Sequence, residues 1–229
     1  MGLPVSLLAR GEGLDLDVEP FYDELRWVDA VFSPYREDSE VTRVATGDLH
    51  LADAHPLVQH VATRCQEERQ RTGGLFDATT PDGRWDPSGF VKGWAVERAS
   101  RLLPPGVDWC VNAGGDVVVR SESGAPFRVG IEDPRDRSRL VAVVPLSAGG
   151  LATSGTAARG DHLYDPRTGT AATALASLTV VAATLEEADV LATAAFVDGG
   201  LRLVVEAGCE GLVVGVDGTL ESTPGFARG

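Results

Sequence analysis

Lysine is almost absent from this 229-residue chain: of its 20 cationic residues, only Lys92 is a lysine. Cations of either kind are outnumbered by 34 Asp and Glu, giving a formal net charge of −14. Nucleic acid is therefore excluded as a partner, because phosphate backbones are held by clustered Lys and Arg. Any phosphate bound here must be held locally. The three cysteines, Cys65, Cys110 and Cys209, show no C-x-x-C spacing and cannot all pair. Neither a disulfide framework nor a zinc site follows, and they read as small buried hydrophobes. No run of 18 apolar residues occurs, and the first ten residues lack the basic-then-apolar order of a signal segment. A soluble, cytoplasmic chain without a membrane segment is expected. Repeats, low-complexity tracts and linkers are also missing, which leaves one domain over residues 1–229. At 43% hydrophobic and 24% charged, the composition is that of an ordinary globular domain able to bury a sizeable core.

Periodicity then orders the elements. Val5 to Ala9 predicts a strand, and Glu19 to Phe32 a helix with Phe21, Leu25, Val28 and Phe32 at three- and four-residue steps. A second helix is expected from Pro56 to Arg71, closed by Thr72-Gly73-Gly74, and a third from about Lys92 to Leu103. Hairpin-length strands follow around Trp109–Ala113, Asp116–Arg120, Phe127–Ile131 and Leu140–Leu146. The last third predicts a strand at Leu178–Ala183, helices at Leu185–Val197 and Leu201–Ala207, and a strand at Leu212–Val216. Helices and hairpins without regular βαβ alternation make the class α+β, with a mixed sheet and packed helices.

Four segments carry chemistry. Thr184 with Glu187 is a capping-box pattern that fixes a helix start and puts Asp189 and Thr193 on one face, at i and i+4. A carboxylate and a hydroxyl one turn apart form a partial magnesium site. An Asp near a helix N-terminus is equally favoured by the macrodipole, and a Thr can bond to its own preceding turn. In Ser88-Gly-Phe-Val-Lys-Gly-Trp-Ala-Val-Glu97, Lys92 falls at the start of the predicted helix, where a cation makes sense if a phosphate is bound there too. Val111-Asn-Ala-Gly-Gly-Asp-Val117 reads as a hairpin turn; its glycines also let a ligand approach the backbone, with Asn112 and Asp116 supplying hydrogen bonds. Finally, Ala152-Thr-Ser-Gly155 is followed by Asp161-His-Leu-Tyr-Asp-Pro-Arg-Thr-Gly169, where His162 is a candidate general base and Asp165 its orienting partner or a metal ligand.

Taken in order, these segments resemble the ApbE family of FAD:protein FMN transferases. The resemblance runs through Met1-Gly2-Leu3-Pro4-Val5-Ser6, Phe32-Ser33-Pro34-Tyr35 with Ser39, and Gly74-Leu-Phe-Asp77 with Thr79. It continues through Gly89-Phe-Val-Lys-Gly-Trp-Ala-Val96, Asn112-Ala-Gly-Gly-Asp116, Thr153-Ser-Gly155, His162-Leu-Tyr-Asp-Pro-Arg-Thr-Gly169 and Ala188-Asp-Val-Leu-Ala-Thr193. It implies a T-fold-related single domain and transfer of FMN from FAD to a Ser or Thr hydroxyl of an acceptor flavoprotein, with release of AMP. It also implies Mg²⁺ on Asp189, Thr193 and a main-chain carbonyl near Val91, with Lys92 by the pyrophosphate. Asn112, Gly114, Gly115 and Asp116 would line the nucleotide, Tyr35 the flavin, and Thr153 and Ser154 the phosphates, with His162 helping to deprotonate the acceptor. One departure stands out: Asp77 and Lys92 are only fifteen residues apart, where the family usually inserts a helix-sized piece. Hydrolysis of FAD to FMN and AMP, or FAD binding without catalysis, are the alternatives.

Overall fold

The computed structural model describes residues 2–11, 14, 16–155 and 163–227, and the elements below are those among the described residues. The first third is strand β1 (Val5–Arg10) and helices α1 (Glu19–Phe32), α2 (Glu40–Thr46) and α3 (Pro56–Arg71). Prolines in the first turns of α1 and α3, where no backbone donor is needed, mark their starts. Next come α4 (Ser88–Ser100), β2 (Asp108–Ala113), β3 (Asp116–Arg120), β4 (Phe127–Asp133), β5 (Asp136–Leu146) and β6 (Ala148–Gly155). The chain closes with β7 (Leu175–Ala182), α5 (Leu185–Asp198), α6 (Arg202–Glu206), β8 (Glu210–Gly215) and β9 (Leu220–Ser222).

Seven strands form one sheet in the order β1-β2-β3-β6-β7-β8-β9, and β4 and β5 stand apart as a hairpin. Each pairing is antiparallel, so the mixed sheet expected from the sequence is corrected while the α+β class holds. Alternation along the strands sends side chains to two cores. Val111, Val118 and Leu178 meet Phe32, Phe90, Val96 and Leu191 of the helices on one face. Val117, Val119, Leu151 and Leu212 meet Phe127, Val129, Ile131 and Val144 of the β4–β5 hairpin on the other. Three layers result, helices over sheet over hairpin. Helix α5 is buried almost all round because its alanines fit between the sheet and α4.

Helix α4 begins at Ser88, a turn earlier than expected, which moves Lys92 from the helix start into its second turn. The glycines that looked like loop punctuation are packing residues instead. Strand β6, α2 and β9 were not anticipated. In β6 the sequence is masked by Gly149 and Gly150, which lower strand propensity but let α5 lie on the sheet. A Cβ on Gly150 would collide with backbone atoms of Thr184 and Leu185. Gly150→Ala is accordingly expected to cost about 2–3 kcal/mol, read as a lower urea midpoint with an unchanged slope.

Candidate functional site

The short stretch before α4 is a tight loop. Thr79 bridges Trp85, Thr80 N donates to Arg84 O at 2.8 Å, and Asp86 N donates to Ala78 O at 2.7 Å. The chain thus enters α4 directly. Within α4, Gly93 lies against α5: a Cβ there would come within 2.8 Å of Leu185 O and 3.0 Å of Asp189 Cβ. The N-terminus of α5 is fixed twice, by Thr184 Oγ1 accepting from Glu187 N (3.2 Å) and by Glu97 of α4 accepting from Leu185 N (3.0 Å). That registration places Asp189 beside Lys92.

Asp189 is 3% exposed, and both its oxygens face α4: Oδ2 accepts from Gly93 N at 3.0 Å, and Oδ1 lies 3.1 Å from Lys92 Nζ. On the other side of the ammonium, at 2.5 Å, is Oδ2 of Asp116, also 3% exposed, whose Oδ1 accepts from Thr153 N at 3.1 Å. One ammonium is therefore bracketed by two buried carboxylates. Burial opposes the charge on Lys92, but Asp189 and Asp116 outweigh it and raise its pKa. Burial pushes Asp189 up to about 7; Lys92 opposes this, and the negative charge of Asp116 adds to it.

Hydroxyls complete the floor. Thr193, one turn after Asp189, has its Oγ1 3.3 Å from Ser154 Oγ, and Thr153 Oγ1 lies 2.8 Å from Thr179 Oγ1. Ser177 Oγ is buried beside them without a hydrogen-bond partner among the described residues, and it lines the same cleft. Sequence reasoning passed over Ser177; its signal was a hydroxyl alternating with Thr179 in an otherwise apolar strand. The β2–β3 turn is the expected hairpin, with Gly114 and Gly115 at φ 64° and 103°. Asn112 Oδ1 is spent on Gly115 N at 2.9 Å, which leaves its amide nitrogen for a ligand.

These residues line a cleft of about 1450 Å³ between the sheet and β4. Tyr35, 86% exposed, stands at its edge, and Val91, Lys92, Asn112, Gly114, Gly115, Asp116, Thr153, Ser154, Asp189 and Thr193 are all in its wall. Val91 lies inside α4, so helical geometry directs its carbonyl toward the amide of residue 95. Asp165 opens a turn. Its carboxylate pairs with Arg167 at 2.8–2.9 Å, its carbonyl closes the turn to Gly169, and it is not part of the cleft wall. An Asp at the start of a turn followed by Arg two residues on satisfies itself locally. His162 lies outside the described residues. Ser39 caps α2 and donates to Ser33 O (2.7 Å), while Asp77 pairs with Arg69 (2.7 Å), so both are structural. Cys65 is buried, and burial pushes its thiol up to about 12; Cys110 and Cys209 are only half-buried, against expectation.

The residues present fit magnesium. Among the described residues no three His, Cys, Asp or Glu converge, so no all-protein cage exists. Mg²⁺ characteristically takes one or two carboxylates and leaves its other positions to water and substrate phosphate. Two buried carboxylates against one ammonium leave an excess negative charge, and a Thr hydroxyl adjoins it.

The ApbE family model matches residues 79–213. The chain belongs to the ApbE family. It is 34% identical over 198 residues to the FAD:protein FMN transferase of Salmonella typhimurium, covering 80% of this chain and 55% of that one. It is 30% identical over 195 residues to that of Escherichia coli, covering 79% and 52%. The chain spans about half the length of these ApbE relatives. The crystal structure of the ApbE protein from Thermotoga maritima superposes with a TM-score of 0.84 at 21% identity, covering 97% of this chain and 94% of that one. The apo Pseudomonas stutzeri flavinyl transferase ApbE gives 0.74 at 22%, covering 97% and 95%. The three-layer arrangement is thus the ApbE fold. No helix among the described residues is long and apolar enough to cross a membrane.

Proposed function

We propose that this chain is an FAD:protein FMN transferase that moves FMN from FAD to a Ser or Thr hydroxyl of an acceptor flavoprotein, releasing AMP. The observation that carries this is the Lys92 ammonium held between the buried carboxylates of Asp116 and Asp189 in the wall of the cleft. FAD is the substrate. Magnesium, held by Asp189 and Thr193, would offset negative charge on the pyrophosphate oxygens. Lys92 supplies a fixed positive charge beside them, and the hydroxyls of Thr153, Ser154 and Ser177 supply donors. In the transfer step a bond forms from the acceptor oxygen to the FMN phosphorus and the pyrophosphate bond to AMP breaks. The acceptor proton passes to His162, the base this reading assigns. Asp165, occupied by Arg167, is left out. Tyr35 offers a flat exposed face for the flavin.

The test is incubation of the purified chain with FAD, Mg²⁺ and a Ser/Thr acceptor peptide, following covalent flavin fluorescence on the peptide against free FMN. Flavinylated peptide is expected. Free FMN alone would reassign the chain as an FAD pyrophosphatase, and neither product would leave a binding module.

A further inference from the structure

The two edge strands of the seven-stranded sheet differ in kind. Edge strands normally carry a charge, a proline, a bulge or extreme shortness, which keep other chains from pairing with them. Strand β9 obeys this, with three residues and Glu221 in the middle. Strand β1 does not. Its residues Val5-Ser-Leu-Leu-Ala9 are uncharged, its register against β2 runs unbroken from Val5 to Arg10, and among the described residues no strand lies on its other side. Pro4 O accepts from Gly114 N at 3.1 Å, so the main-chain acceptor of Pro4 faces β2. Main-chain groups alternate from edge to edge along a strand, so Ser6 and Leu8 also face β2, and Val5, Leu7 and Ala9 point outward. Each of these three presents one donor and one acceptor to the open edge.

This edge adjoins the cleft. Ser6 and Leu8 stand in its wall, and Leu8 is 58% exposed. Val5 pairs with Ala113, which pairs in turn with Asp116 beside Lys92, so the edge begins two strands from the phosphate end. At about 1450 Å³ the cleft exceeds the roughly 300–1,000 Å³ of a pocket for one small ligand, which leaves room for a second substrate. From this geometry, and resting on the transfer reading above, we infer that the acceptor protein docks by adding an extended segment to β1, as an eighth strand of the sheet. The segment lies about 4.8 Å outside β1 and takes up the outward groups of Val5, Leu7 and Ala9. Alternate side chains of a strand turn to opposite faces, so its Ser or Thr and the residues two before and two after it turn to the cleft, as Ser6 and Leu8 do. The hydroxyl thus arrives on a backbone of fixed register. Main-chain pairing supplies the affinity, so the acceptor needs an extended stretch of about five residues rather than a particular fold.

The test uses the whole chain with FAD, Mg²⁺ and the Ser/Thr acceptor peptide, measuring kcat and KM for the peptide and, by calorimetry, Kd for FAD. In the peptide, a single N-methyl group is moved one residue at a time through the positions flanking the hydroxyl. KM is expected to rise about tenfold at every second position and to hold steady between, because only alternate amides face β1. In the protein, Ala9→Pro removes one outward N–H and spares the β1–β2 ladder, since proline is tolerated where the N–H of an edge strand points outward. It is expected to raise the peptide KM about tenfold with the FAD Kd unchanged. The scan is made on the wild-type chain and decides the matter if Ala9→Pro disturbs the fold. A scan that is flat or lacks the two-residue period overturns the inference. So does a wild-type dimer that Ala9→Pro turns into a monomer with the peptide KM unchanged, which would assign the edge to a second copy. Wild-type protein that flavinylates no peptide overturns the transfer reading and this inference with it, a result distinct from transfer with a flat scan.

Discussion

Asp189→Asn is expected to lower flavin transfer about a thousandfold while leaving the free protein at neutral pH no less stable than the wild type. The activity loss follows from removing the carboxylate assigned to magnesium, whose charge stabilisation is worth several kcal/mol in the transition state. The retained stability follows from the local charges. Asp189 and Asp116 share one ammonium, so the variant keeps a matched pair and sheds a carboxylate that is costly to bury. The pH dependence has a definite sign. Burial first, with Asp116 adding and Lys92 opposing, lifts the Asp189 pKa from 3.8 to about 7. A carboxyl whose pKa is raised by folding contributes stability that is present below its unfolded pKa and lost as pH rises through the folded one. Urea denaturation in a chelator should therefore show the variant gaining on the wild type from about pH 4 to pH 7, and no further change above that. A gap that narrows over this window, or transfer within tenfold of wild type, would show that Asp189 is neither a costly buried charge nor the metal ligand.

How much of this was visible beforehand depended on whether the signal was local. The bounds of α1 and α3 could be read from proline starts and three- and four-residue apolar steps, and the cap at Thr184 fixed the face that carries Asp189 and Thr193. The Gly114-Gly115 turn was equally plain. What escaped notice was set by distant partners. Gly93 and Gly150 read as breaks because their reason for being glycine is α5, roughly a hundred or thirty-five residues away in sequence. Lys92 stands out in the sequence as the only lysine, but its place in the second turn of α4 and its two carboxylate neighbours, one on β3 and one on α5, are set by the fold. Asp165 matched a motif and is nonetheless satisfied two residues away.

Lys92→Met is expected to cost about 3–5 kcal/mol of stability, the largest such effect predicted here, besides abolishing transfer. Methionine matches the stem, so little packing is lost; what remains is Asp116 Oδ2 and Asp189 Oδ1 facing each other with their shared counter-charge gone. Three consequences separate this cause from a simple packing defect. Lowering the pH should restore much of the loss, because the facing carboxylates can then take up protons. The double variant Lys92→Met with Asp116→Asn should be more stable than Lys92→Met alone, a coupling that a cycle of the two variants measures directly. Magnesium should raise the midpoint of the variant more than that of the wild type, since a cation in the site replaces the missing ammonium and binds the folded form alone. If Lys92→Met loses stability equally at pH 5 and pH 8 and the second substitution only adds to the damage, the two aspartates do not depend on the lysine, and the charge arrangement assigned to the floor of the cleft is wrong.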